Sequence, residues 1–148
     1  MKVKWSGHDS FATPPHLRQA LTEEFGCNFD PCPLNPEFDP TNDVDGLAIS
    51  WDGKRVFCNP PWSNITPWVE KSFGSKALII VFILPARTDT EWFHILKDRG
   101  AELRLFRKRV HFLKNGDKSL KVSPVDGTLV AVVRPFIQKA AAEWATLP

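Results

Sequence analysis

The sequence contains no tyrosine, a single methionine, 3 cysteines and only 8 glycines in 148 residues. The cysteines (Cys27, Cys32, Cys58) are odd in number and lack CxxC spacing. They support neither a disulfide framework nor a zinc site, and no metal is expected. The longest apolar run, Ala77 to Leu84, has 8 residues, far short of the roughly 20 that span a bilayer. Met1 to Ser10 is polar, without the apolar stretch of a signal peptide. The expectation is a reduced, cytoplasmic protein with no membrane partner. Charge of one sign is scarce too: 19 Lys+Arg against 17 Asp+Glu leave +2, so the overall balance does not by itself select a partner. Composition, at 43% hydrophobic and 24% charged, excludes long disorder and collagen-like repeats. The length suits one compact domain, 1–148, and not two.

What is present in excess is tryptophan (6), phenylalanine (11) and proline (13). Rigid, irregular segments of this composition hold apolar surface in place and often line sites.

Spacing predicts a helix over Pro15–Phe25. Leu17, Leu21 and Phe25 recur every four residues, Thr13 suits a cap, Pro14 and Pro15 suit the first turn, and Gly26 stops it. A short strand over Cys27–Asp30 should follow, ended by Pro31 and Pro33. Residues 34–45 are dense in Pro, Asn and Asp and read as an ordered loop. A strand at Arg55–Cys58 is broken by Pro60 and Pro61. A helix at Ile65–Phe73 would be capped by Ser63 or Asn64. Ala77–Leu84 is apolar throughout and rich in β-branched residues, as a strand buried on both faces should be. A helix at Thr90–Asp98, strands at Glu102–Phe106, Val110–Leu113 and Thr128–Val133, and a helix from Ile137 to about Trp144 complete the chain. The alternation predicts an α/β sheet with antiparallel strands added late.

The tetrapeptide Asn59-Pro60-Pro61-Trp62, placed after a strand, carries the most chemistry. An exocyclic amine conjugated to an aromatic ring is nearly planar and a poor nucleophile. Two acceptors on its N–H groups help its nitrogen turn tetrahedral and present its lone pair to a methyl group. Asn59 offers a side-chain carbonyl and Pro60 a backbone carbonyl, and the prolines fix the turn that makes them converge. Trp62 supplies a flat face on which a flipped-out base can stack. Such a reaction needs positioning and electrostatics rather than a covalent nucleophile. Ligands in open α/β sheets bind beyond the carboxyl ends of strands, where this motif and Asp30-Pro31-Cys32 both fall.

The chain resembles the phage-type DNA N6-adenine methyltransferases, the Dam-type family, from about Thr13 to Val133. The matching blocks come in order. They are Thr13-Pro14; Phe29-Asp30-Pro31-Cys32; Asp45-Gly46-Leu47 with Trp51; Cys58-Asn59-Pro60-Pro61-Trp62; Leu84 to Thr90 with Trp92-Phe93; and Arg107 to Phe112. The resemblance implies a single catalytic domain with no separate target-recognition domain, using S-adenosylmethionine to methylate adenine N6 in DNA. It implies an abbreviated Rossmann-like methyltransferase sheet, mostly parallel, with helices on its faces. Asn59, Pro60, Pro61 and Trp62 would hold the amine and base. Thr13, Pro14, Asp30 and Cys32 would lie at the methionine end of the cofactor, Asp45 and Leu47 near its adenine, and Asn59 beside both. Lys108, Arg109 and His111 would fall on a basic strand facing DNA. From local charge, apart from the resemblance, Arg87 and the lysines around a loop at Asn115-Gly116 (Lys114, Lys118, Lys121) are also expected to meet phosphates. Pairing as a homodimer would let so small a domain grip a duplex.

Plainer readings stand beside these. Thr13 can be a simple cap, Asp30 a turn residue, Asp43 and Asp45 ordinary loop composition, Cys32 a small buried hydrophobe. Arg104, Arg107, Lys108 and Arg109 can be a solvated face. Three departures also matter. Asp30-Pro31-Cys32-Pro33 replaces the usual Gly-x-Gly cofactor loop, and Trp62 replaces the commoner Tyr or Phe. Only 26 residues separate Cys32 from Asn59, too few for two further strand–helix units. The tetrapeptide also suits methyltransferases of RNA bases or of protein glutamine, and a non-catalytic nucleic-acid-binding module of the same fold remains open.

Overall fold

The computed structural model describes residues 11–34, 45–114, 121–122, 124 and 126–147. Its elements run β1 (Phe11–Ala12), α1 (Pro15–Phe25), β2 (Arg55–Cys58), α2 (Thr66–Gly74), β3 (Ile79–Pro85) and α3 (Glu91–Asp98). There follow β4 (Glu102–Leu105), β5 (Phe112–Lys114), β6 (Lys121–Val122), β7 (Thr128–Val133) and α4 (Pro135–Ala145).

The main sheet has the order β2-β3-β7-β4. β3 pairs parallel with β2 and antiparallel with β7, and β4 is antiparallel to β7 as well. β2, β3 and β4 therefore point one way, and β7 fills the slot between β3 and β4 in reverse. Every residue of β3 and β7 is buried, as their unbroken apolar runs require. Side-chain alternation divides the core in two. Ile80, Phe82 and Leu84 pack with Trp68 and Val69 of α2 and with Trp92 and Leu96 of α3. Ile79, Val81 and Ile83 pack on the other face with Leu21 and Phe25 of α1 and with Phe112. Helices thus cover both faces of the sheet.

The expectation of a mostly parallel sheet needs correcting. Among the described residues β2–β3 is the one parallel ladder of named strands, and a second, wholly antiparallel sheet, β1-β5-β6, stands beside the first. The run Cys27–Asp30 is not a strand. It reaches the sheet through a single parallel bridge, Phe29 to Val56, because Pro31 and Pro33 deny the next residues a donor. Pro14, not Thr13, is the N-cap of α1, and it makes no side-chain cap bond. Ile65, rather than Ser63 or Asn64, precedes α2. The strand expected at Val110–Leu113 begins two residues later, which leaves Lys108, Arg109 and His111 in the connection between β4 and β5. Asp43, Asn115, Gly116 and Lys118 lie outside the described residues.

The short stretch before β2 is held by packing rather than by pairing. The Trp51 indole N–H donates to the Gly46 carbonyl at 3.0 Å, and its ring stacks on Trp68 with centroids 6.2 Å apart. A Cβ on Gly46 would overlap the Pro31 carbonyl oxygen. Glycine is what allows the Asp45–Leu47 turn to close on the Asp30–Cys32 turn.

Candidate active site

Because β2 and β3 are parallel, the residues that follow them emerge at the same edge of the sheet. Asn59–Trp62 follow β2 and Ala86–Arg87 follow β3. The Phe29 bridge brings Asp30–Cys32 to that edge too, and Asp126–Gly127 arrive from the opposite direction to begin β7. The Ala86 N–H donates to the Gly127 carbonyl at 2.8 Å.

Asn59 stands at the centre of this edge, half-buried. Its side-chain Nδ2 donates to the Phe11 carbonyl at 3.0 Å, and its Oδ1 accepts the Trp62 indole N–H at 3.2 Å. That N–H is shared with the Ile83 carbonyl at 3.3 Å. The Trp62 ring meets Phe112 edge-on at 5.1 Å. The turn closes where the Pro61 carbonyl accepts the Asn64 N–H at 3.0 Å. An amide oxygen has two lone pairs, so Oδ1 keeps acceptor capacity after its bond to Trp62.

On one side of Asn59 lies a cavity of about 140 Å³ lined by Ala12, Thr13, Arg18, Asp30, Cys32 and Asn59, among others. Arg18 Nη1 meets Asp30 Oδ2 at 2.8 Å, and the guanidinium lies 4.4 Å from the Phe57 ring centroid. Asp30 Oδ1 accepts the Cys32 backbone N–H at 2.9 Å, an Asx turn of the kind aspartate favours before proline-shaped loops. Thr13 Oγ1 is buried and has no hydrogen-bond partner, a state that costs free energy unless a ligand supplies one. Cys58, at the end of β2, is fully buried, and burial pushes its thiol well up. The thiol is therefore core rather than nucleophile.

On the other side, Arg87 Nε meets Asp126 Oδ2 at 2.8 Å. Its Nη1 donates to the Trp62 carbonyl at 3.4 Å. The residue expected to face DNA is thus paired and turned toward the Asn59 turn. A separate groove of about 320 Å³ is lined by Pro14, His16, Lys108, Arg109 and His111, among others. Lys108, Arg109, His111 and Lys114 are exposed, and Arg109 Nη1 donates to the Pro124 carbonyl at 2.9 Å.

Of the residues expected at the cofactor, Thr13, Asp30, Cys32 and Asn59 line one cavity. Pro14 lines the basic groove instead. Asp45 is spent locally, its Oδ1 accepting the Leu47 N–H at 2.9 Å, and neither residue lines the Asn59 cavity. Sequence reasoning missed Arg18, Phe11 and Asp126. The Leu17–Leu21–Phe25 stripe could have flagged Arg18, since it fixes which face of α1 meets the sheet.

The DNA N-6-adenine-methyltransferase (Dam) family model matches residues 1–144. A DNA N-6-adenine-methyltransferase of Haemophilus phage HP1 is 25% identical over 123 residues, covering 76% of this chain and 71% of that protein. No solved structure matches the chain significantly.

Proposed function

The chain belongs to the DNA N-6-adenine-methyltransferase family, and we propose that it moves a methyl group from S-adenosylmethionine to N6 of an adenine in DNA. The observation that carries this reading is Asn59. Its amide is anchored at both ends at the carboxyl edge of the sheet, between a charged cavity and an aromatic ring.

The cavity suits one end of the cofactor. At about 140 Å³ it is smaller than the about 300–1,000 Å³ of whole-ligand pockets, and its charged lining suits the amino-acid group. Arg18 offers a cation for the carboxylate, Asp30 an anion for the ammonium, and Thr13 an unspent hydroxyl. Asp45 and Leu47, tied to the Asp30 turn through Gly46, are proposed for the adenine end. When bound, the cofactor supplies a methyl group on a positively charged sulfur.

Asn59 Oδ1 and the Pro60 carbonyl accept the two N6 hydrogens of the target adenine, and its lone pair turns toward the methyl carbon. With Asn59 and Pro60 holding the amine in line, transfer would form the N–C bond at the expense of the sulfur–methyl bond, whose electron pair would stay on sulfur, and one N6 proton would leave to solvent. The base must be flipped out or unpaired to reach the site, and Trp62 and Phe112 offer aromatic surface for it. Lys108, Arg109, His111 and Lys114 are proposed to meet phosphates, and Arg87 to act at the site rather than on the backbone. Acting on DNA, the protein is proposed to work in the cytoplasm of a bacterial or phage-infected host cell.

The test is transfer of tritiated methyl to unmethylated duplex DNA, with RNA and protein as alternative acceptors. Asn59→Ala should lower kcat at least a hundredfold, the scale of losing one preorganised electrostatic partner. Binding of S-adenosylhomocysteine should survive. Transfer at near wild-type rate in that variant would refute the assignment.

A further inference from the structure

We propose that Trp62 is a positioning residue for Asn59: its indole N–H fixes which way round the Asn59 amide stands. The inference rests on the proposed role of Asn59 as acceptor and adds how that acceptor is kept facing the right way.

A side-chain amide presents a donor at one end and an acceptor at the other, and the two ends have nearly the same shape. Packing alone hardly distinguishes them; only hydrogen-bond partners do. Here the partners disagree in type. The Phe11 carbonyl, an obligate acceptor, takes Nδ2 at 3.0 Å. The Trp62 indole, an obligate donor, gives to Oδ1 at 3.2 Å. Turning the amide over would set oxygen against oxygen and N–H against N–H in a half-buried site. The indole is held in its own place by the Ile83 carbonyl at 3.3 Å and by the Phe112 ring edge-on.

Removing the indole N–H leaves the Phe11 carbonyl as the one partner that still selects the orientation. The amide then spends time turned over, with Nδ2 where the target amine needs an acceptor. A phenylalanine at this position would keep an aromatic face for the base yet give no such control. Tryptophan here fixes an orientation that a stacking ring without a donor cannot.

The experiment compares Trp62→Phe with replacement of Trp62 by benzothienylalanine, which keeps the bicyclic shape and exchanges N–H for sulfur. Transfer to unmethylated duplex DNA gives kcat and KM, and calorimetry gives S-adenosylhomocysteine affinity. Both variants should lose about tenfold in kcat, the scale of a misplaced reacting group. KM for DNA and cofactor affinity should stay within about twofold. Wild-type kcat in the benzothienylalanine protein would overturn the inference, as would a loss confined to KM for DNA. Should Trp62→Phe fail to fold, the isostere decides alone. Asn59→Ala separates the two levels: transfer that survives it sinks the proposed function, whereas its loss beside an intact isostere sinks the positioning role only.

Discussion

On the cavity side of Asn59 an arginine meets an aspartate at 2.8 Å, and the carboxylate is only 14% exposed. On the Trp62 side a second arginine–aspartate pair has the same length, but its carboxylate is 36% exposed. Exposed pairs of this kind contribute about 0–1 kcal/mol to stability, so neither pair explains the fold. What separates them is what else each touches. Arg18–Asp30 forms the wall of a cavity that Thr13, with its unpartnered buried hydroxyl, also lines, and it is the pair proposed above to meet the cofactor's amino-acid group. Arg87–Asp126 joins the end of β3 to the approach to β7 and reaches the backbone of the Asn59 turn. The first pair lines a cavity, and the second reaches inward to the turn. The lesson is that equal geometry in two ion pairs does not give them equal roles.

Substitution can break this contrast. Asp30→Ala should have the largest effect, because it removes a charged ligand group and also the acceptor of the Cys32 N–H. S-adenosylhomocysteine affinity should fall about 10–100-fold by calorimetry, the range expected for hydrogen bonds to a charged group. Asp126→Ala should act on the other quantity: kcat drops about threefold to tenfold while cofactor affinity is unchanged. If both variants lose cofactor affinity alike, the contrast is wrong. Lys108→Ala, outside both pairs, should reduce the slope of log affinity against log salt by about one, since each phosphate that a lysine neutralises adds about that much to the slope. An unchanged slope would remove Lys108 from the DNA face.

The smallest effect concerns the core beneath both pairs. Burial raises the thiols of Cys58 and, less completely, Cys27. The native state keeps its proton while the unfolded chain ionises above about pH 8.5. The native state then binds more protons than the unfolded one, so stability falls as pH rises past that point. Urea midpoints at pH 7 and pH 9.5 should differ in the wild type, and the difference should shrink in Cys58→Ala.

Much of this edge was legible in the sequence. β2, β7 and α1 fall at their expected bounds, and Asn59–Trp62 follows its strand as the double proline announced. The Cys27–Asp30 strand was misjudged because its apolar pattern is local, whereas its single bridge depends on how near Pro31 lets it approach β2. The start of β5 was placed two residues early because Val110 and His111 continue its alternation, whereas the strand itself runs Phe112–Lys114. For Arg87 the sequence suggested a phosphate contact; the partner it has in the structure, Asp126, lies 39 residues away and no local pattern announces it.

By itself, the sequence determined which segments are buried, where prolines stop them, and which turn could carry an acceptor beside an aromatic ring. These follow from side-chain period and backbone restriction, both local properties. Only the tertiary structure decided that Phe11, 48 residues from Asn59, takes one end of its amide, that Arg18 faces Asp30, and that β7 enters between β3 and β4. Such partners are chosen by the order in which strands and helices pack, and no short-range pattern along the chain records that order.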